Sequence, residues 1–186
     1  MANIMVYFFL ATGFEDIEFV APLDILRRAG IDAKSVSITG DRVVTSAHGV
    51  GIVADCLMEE VDMKAADMLV LPGGLPGSTN LDACVPLREA ILAHHVAGKP
   101  LAAICAAPMV YGHLGILRGV KATCYPGVEG ELVGAEYTGA LCQVDGLFVT
   151  ACGPAAAMEF GYAIVTLLGK ADVAATLREG MQYNRL

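Results

Sequence analysis

Positive charge is scarce in this chain. Only 12 of its 186 residues are Lys or Arg, against 20 Asp and Glu, for a formal net charge of −8 and an isoelectric point of about 4.8. A nucleic-acid binder normally shows a basic patch, and an anionic membrane surface repels such a balance, so both partner classes are excluded. Cys56, Cys84, Cys105, Cys124, Cys142 and Cys152 include no C-x-x-C pair. The spacing of a zinc site or of a thioredoxin-type motif is therefore missing, and no metal is expected. No G-x-G-x-x-G opens a helix, which removes the dinucleotide fingerprint. No basic residue precedes the first apolar run, so no secretory leader is expected; free thiols in a reducing cytoplasm fit better. The stretch from Pro100 to Leu117 has no Asp, Glu, Lys or Arg, yet Pro108, Gly112, His113 and Gly115 interrupt it. It reads as strand, turn and helix, not as a membrane span.

What is abundant is apolar: 55% of residues are hydrophobic and 17% charged. A single domain over residues 1–186 can build a large core and still have apolar surface left for an oligomer interface. Ile4–Leu10, Met68–Leu71 and Leu101–Ile104 are continuous apolar runs, the pattern of strands buried on both faces. Ala33–Ile38 and Lys121–Cys124 are further strands, and Val50–Val53 belongs to a hairpin or a sheet edge. Asp145-Gly146 between Leu141–Val144 and Leu147–Thr150 signals a hairpin. Helices are expected over about Glu15–Ala29, Pro86–Ala97, from Pro108, from Pro154 to Gly169, and over about Val173–Glu179. Alternating strands and helices predict an α/β sandwich with a mostly parallel sheet.

Ligands of open α/β sheets bind outside the carboxyl ends of the strands. The loops Ala11–Glu15, Pro72–Gly77 and Cys105–Pro108 leave such ends, and their meeting puts Glu18, Gly73-Gly74 and Cys105 around one crevice. Cys105 sits where a strand turns into a helix, a nucleophile-elbow position in which a thiolate is favoured by the helix dipole; a buried inert thiol is the alternative. Glu18 shares a helix face with Phe14, Ala21, Pro22 and Ile25. Apolar surroundings would raise its pKa and fit it to relay a proton beside a thiolate, unless that helix edge meets water. The N–H groups of Gly74 and Ala106 could hold an oxyanion. His94 and His95, near a helix C-terminus, are expected at the surface, His113 outside the site, and His48 in a loop that could face the crevice. The first helix is apolar almost all round (Ile17, Phe19, Val20, Leu23, Ile25, Leu26), so one face packs on the sheet and the other could pack on a second subunit.

Gly13-Phe14-Glu15-Asp16-Ile17-Glu18, Pro22-Leu23-Asp24 with Arg27-Arg28-Ala29-Gly30, Leu71-Pro72-Gly73-Gly74, Ala103-Ile104-Cys105-Ala106-Ala107-Pro108, and Gly153-Pro154 before Glu159-Phe160 together resemble the ThiJ/PfpI superfamily, nearest its DJ-one branch, over nearly the whole chain. The resemblance implies a flavodoxin-like three-layer sandwich, a homodimer, and a redox-sensitive low-pKa Cys105 hydrogen-bonded to a protonated Glu18. It also implies a cofactor-independent glyoxalase or deglycase activity on methylglyoxal-type 2-oxoaldehydes or their early adducts. Oxidative-stress sensing or a chaperone-like role through oxidation of Cys105 is the alternative. Three pocket positions depart from the family pattern. Tyr125 stands where relatives often have histidine, Cys152 where many have arginine in a Ser-Arg-Gly-Pro turn, and His48 where others have arginine. Cys105-Ala106 also lacks the Cys-His pair of the protease-like branch, so proteolysis is not expected.

Overall fold

The computed structural model describes residues 4–185; of the domain expected over 1–186, residues 1–3 and 186 lie outside the described residues. In chain order the elements are β1 (Met5–Leu10), α1 (Asp16–Arg28), β2 (Asp32–Ser37), β3 (Val43–Thr45), β4 (Gly51–Val53), β5 (Cys56–Leu57), β6 (Met68–Leu71), α2 (Gly77–Ala83), α3 (Val85–Val96), β7 (Leu101–Ile104), α4 (Pro108–His113), β8 (Lys121–Ala122), β9 (Glu136–Tyr137), β10 (Cys142–Asp145), β11 (Phe148–Ala151), α5 (Ala157–Leu167) and α6 (Ala171–Gly180).

Seven strands form one sheet in the order β10-β11-β7-β6-β1-β2-β5. Every neighbouring pair is parallel except β10 with β11. β1 shows why the apolar runs lie inside it. Val6, Phe8 and Leu10 enter the core on one face of the sheet, and Tyr7 and Phe9 enter the core on the other. The first core is closed by α1, α5 and α6 through Ile25, Leu26, Phe160, Ile164 and Ala174. The second is closed by α2, α3 and α4 through Leu81, Leu87, Ile91, Val110 and Tyr111. This is the flavodoxin-like three-layer sandwich, with the crevice at the carboxyl ends of β1, β6 and β7.

α1 carries the site and is held tightly. A Cβ on Gly161 of α5 would come within 2.8 Å of Ile25 Cδ1 and 3.1 Å of the Pro22 Cα, so the two helices touch almost backbone to backbone. Pro22 lies inside α1 and has no N–H to offer the carbonyl of Glu18 one turn earlier.

Several expected elements differ in extent. β4 pairs antiparallel with β3 as a separate hairpin. The strand expected over Lys121–Cys124 stops at Ala122, because Thr123 N–H turns to the Thr150 hydroxyl and Tyr125 N–H to the Cys105 carbonyl. The hairpin turn shifts by one residue: Asp145 pairs with Phe148, leaving Gly146-Leu147 as its loop. The helix expected from Pro154 begins as a 3₁₀ turn over Pro154–Ala156 before α5, and α2 is an additional helix before α3.

Candidate active site

The chain leaves β7 at Ile104 and turns at once into Ala106-Ala107 and α4. Cys105 makes that turn in the left-handed region, φ +63°, which is costly for a residue with a Cβ. Its backbone is fixed on both sides. The Cys105 N–H donates to the Ala151 carbonyl at 2.8 Å, and its own carbonyl accepts from Tyr125 N–H at 2.8 Å. The bend is thus an elbow held by β11 on one side and the segment after β8 on the other.

Glu18, in the first turn of α1, is fully buried. Its Oε2 accepts from Gly73 N–H at 3.0 Å, while its Oε1 is buried without a hydrogen-bond partner. Gly73 is the spacer between carboxyl and thiol. A Cβ there would lie 2.5 Å from both the Cys105 Cβ and Glu18 Oε2, and 2.7 Å from the Ile104 carbonyl. Gly73→Ala should therefore push the two groups apart, cost roughly 1–3 kcal/mol of stability by overpacking, and slow alkylation of Cys105. A melting curve and a thiol-labelling rate read both effects.

Burial pushes Glu18 up to about 7, and the neighbouring Glu15 charge adds to the rise; hydrogen bonds from Cys105 and Gly73 oppose it. Burial, then the charge of Glu18 and its hydrogen bond, push the Cys105 thiol up to about 12, against hydrogen bonds from the N–H groups of Gly74 and Ala106. The family resemblance implied a low-pKa thiol. Here a closed space containing a carboxylate opposes it, and α4, only six residues long, is too short to add much dipole. Both shifts start from burial, and between about 7 and about 12 the pair carries one charge and one proton. With that proton on Glu18, the sulfur is a thiolate facing two backbone donors.

The structure brings Cys105, Glu18, Gly73, Gly74 and Ala106 together. Tyr125, half exposed, has its ring against Gly153 and its N–H on the Cys105 carbonyl. Cys152 is half-buried and follows the Ala151 that bonds Cys105; its N–H donates to the Leu141 carbonyl. His48 is not brought to the thiol: its exposed ring bonds Asp16 Oδ2 at 2.7 Å. That bond raises the pKa of His48. For Asp16, the hydrogen bonds from Ser46 and His48 outweigh the upward effect of burial and hold the pKa low. Glu15, Asp16 and His48 are the one group among the described residues that could offer a metal three donor atoms, all within 4.8 Å of one another. Among the described residues no helix is long and apolar enough to cross a membrane.

His94 is not at the surface. It is 5% exposed, because α3 lays it over the segments entering β6 and β7, and burial lowers its pKa to about 4. His95 is half-buried and stacks near Phe148, centroids 5.6 Å apart. His113 bridges Asp82 and Glu131, away from Cys105. His94 and Glu18 give stability opposite pH dependences. Unfolded His94 binds a proton below about 6.5 that the folded ring refuses until about 4, so stability falls on acidification. Folded Glu18 takes its proton near 7, above its unfolded value, so its contribution rises over nearly the same window. Glu18→Gln removes the second and exposes the first: this variant should lose about 2 kcal/mol between pH 7 and 5 while the wild type changes little, as read by denaturant titration.

Two further residues hold the loops around the site, and one of them, Glu15, had a signal in the sequence. Glu15 precedes the apolar helical run as an N-cap, its carboxylate accepting from Glu18 N–H at 2.8 Å. Asn80 Nδ2 donates to the Thr12 carbonyl at 2.9 Å, tying α2 to the loop after β1.

Residues 5–167 match the sequence pattern described as the DJ-1/PfpI family. Protein DJ-1 homolog B of Arabidopsis thaliana is 39% identical over 87% of this chain, which spans only 37% of that longer protein. A protein from Pyrococcus horikoshii named a deglycase is 33% identical, over 81% of this chain and 90% of its own length. Among solved structures, oxidized DJ-1 of Toxoplasma gondii superposes with a TM-score of 0.92 at 30% identity, covering 97% of this chain and 98% of its own.

Proposed function

The chain belongs to the DJ-1/PfpI family, and from that membership and the geometry around Cys105 we propose that it is a cofactor-independent glyoxalase or deglycase-type enzyme acting on methylglyoxal-like 2-oxoaldehydes or their early adducts. The observation that carries this reading is the burial of the Glu18 carboxyl and the Cys105 side chain on either side of Gly73. The thiolate adds to the aldehyde carbon, forming a C–S bond, and the carbonyl oxygen takes the proton from Glu18 to give a hemithioacetal. The N–H groups of Gly74 and Ala106 face the developing oxyanion. Glu18, now a carboxylate, accepts the proton from the hemithioacetal carbon and returns it to the neighbouring carbon, while the hemithioacetal hydroxyl proton passes to the former ketone oxygen, so that the first carbon becomes a thioester and the second an alcohol. Water then cleaves the resulting thioester, releasing a 2-hydroxy acid and restoring the thiol. The oxidation of one carbon balances the reduction of its neighbour, so no external electron carrier enters. Lactate formation from methylglyoxal at about 1 s⁻¹ or more supports this function; no turnover in folded wild-type protein refutes it.

The second reading, an oxidation sensor, is favoured by the likeness to a DJ-1 structure described as oxidized and by the buried, unpartnered Oε1 of Glu18. Limiting peroxide would then add two oxygens to Cys105, read by intact mass, while aldehyde turnover stays negligible.

Ile17 and Val20, 54% and 47% exposed, with Ala21, Asp24 and Met158, line an apolar groove on the outer face of α1. A second copy of the chain is the proposed occupant. Light scattering should give twice the 19.4 kDa chain mass for wild type and the monomer mass for Ile17→Glu; a monomeric wild type overturns the dimer.

A further inference from the structure

Glu15 has no part in the chemistry just described, yet its carboxyl belongs to a buried residue, 9% exposed, beside another acid. Its surroundings form a closed ring. The Glu15 side chain accepts from Glu18 N–H at 2.8 Å; Glu15 N–H donates to the Gly73 carbonyl at 2.9 Å; Gly73 N–H donates to Glu18 Oε2 at 3.0 Å. One residue therefore fixes both the helix turn that carries the proton partner and the glycine that separates this partner from the thiol. Gly74 closes against the same place: a Cβ on it would lie 2.5 Å from the Glu15 nitrogen. A capping contact alone does not require a charge, since an amide or hydroxyl caps as well.

We propose that Glu15 is a positioning residue for Cys105 chemistry: its ring of hydrogen bonds sets the Glu18 carboxyl against Gly73, and its negative charge keeps the shared proton on Glu18 and the negative charge on sulfur. This rests on the Cys105–Glu18 pair being the reactive site and extends it to a third acid. Like charges resist sharing a small volume, so an ionised Glu15 beside Glu18 disfavours a carboxylate there, and the only other holder of the charge is Cys105. The charged and titratable groups around Glu15 are Glu18 and Asp16 on α1, His48 from the loop between β3 and β4, and Cys105 across Gly73. His48 and Asp16 engage each other at the rim, and the Glu15 charge acts on His48 as well as on Glu18.

The test is the pH profile of Cys105 alkylation by iodoacetamide, followed by intact mass in the other-cysteine background of the full chain. It reads the thiolate directly and does not depend on which aldehyde, if any, is turned over. Glu15→Gln keeps an oxygen to cap Glu18 N–H but removes the charge. Its profile should move to lower pH, because the pair loses its first proton more easily, and its neutral-pH plateau should fall about 3- to 10-fold, because less of the remaining charge sits on sulfur. Glu15→Asp restores the charge, and its midpoint should stay with wild type even if the shorter arm lowers the plateau. A purely structural role would alter the plateau in both variants without moving either midpoint, and would overturn the proposal, as would a Glu15→Gln profile identical to wild type. Absent methylglyoxal turnover together with the expected Glu15→Gln shift would refute the enzyme reading and leave the Glu15 assignment standing.

Discussion

Cys105→Ser should remove methylglyoxal turnover almost entirely, a loss on the order of 10³-fold or more, because a nucleophile cannot be replaced by binding alone. A serine hydroxyl in this position holds its proton far more tightly than a thiol does, so the proton exchange between Cys105 and Glu18 has no counterpart in the variant. Lactate release measured at saturating substrate gives the result; activity within about tenfold of wild type would show that the reaction passes elsewhere. The same position yields a second, opposite effect on stability. Cys105 holds φ +63°, a conformation that costs a residue with a Cβ roughly 1 kcal/mol relative to glycine. Cys105→Gly should therefore melt above Cys105→Ala, with both inactive. Strain concentrated at the reactive residue would then be visible as a stability difference between two dead proteins.

Glu18→Gln is expected to lower turnover by about 10²–10⁴-fold, the range typical for losing a general acid–base partner. Glutamine can still accept from Gly73 N–H and can donate to a thiolate, so the geometry survives and the proton transfer does not. Its effect should fall mainly on kcat, since the proton moves after the aldehyde is bound. The pH–rate profile separates this from simple disruption. Wild type should show an inflection near 7, where Glu18 titrates, and the variant should lack it. A variant with a wild-type kcat would remove Glu18 from the mechanism while leaving the thiolate in it.

The layers of the fold were legible because the central strands announce themselves. Met68–Leu71 is apolar at every position and buried on both faces, and only a strand covered by helices on both sides has that composition. α2 was not legible: Gly77-Ser78-Thr79-Asn80 has the composition of a loop, and the segment is helical because Gly77 packs against the Gly13 backbone and Asn80 reaches Thr12. His94 misled for a related reason. Its place near a helix C-terminus favours a charged surface ring, but the packing of α3 over the sheet buries it, and packing is a tertiary fact. Periodicity put Glu18 on an apolar face and left open whether that face met water. The deciding contact, Gly73 N–H to Oε2, spans 55 residues of sequence. The upward pressure on the Cys105 thiol had no sequence signal, because it arises from closing a carboxyl and a thiol into one dry volume.

The two hydrogen bonds at Cys105, from its N–H to Ala151 and to its carbonyl from Tyr125, hold the backbone of the elbow in place. Ala151 ends a strand of the main sheet and Tyr125 follows β8, so the backbone of the elbow cannot shift without breaking both. Cys105 is only 8% exposed, so an electrophile must reach it through a narrow opening. Selection at this site is then filtration by girth. Among reagents of equal intrinsic reactivity, slender ones such as small aldehydes and amides should outrun branched or aromatic ones, and the ranking should follow cross-section more closely than electrophilicity.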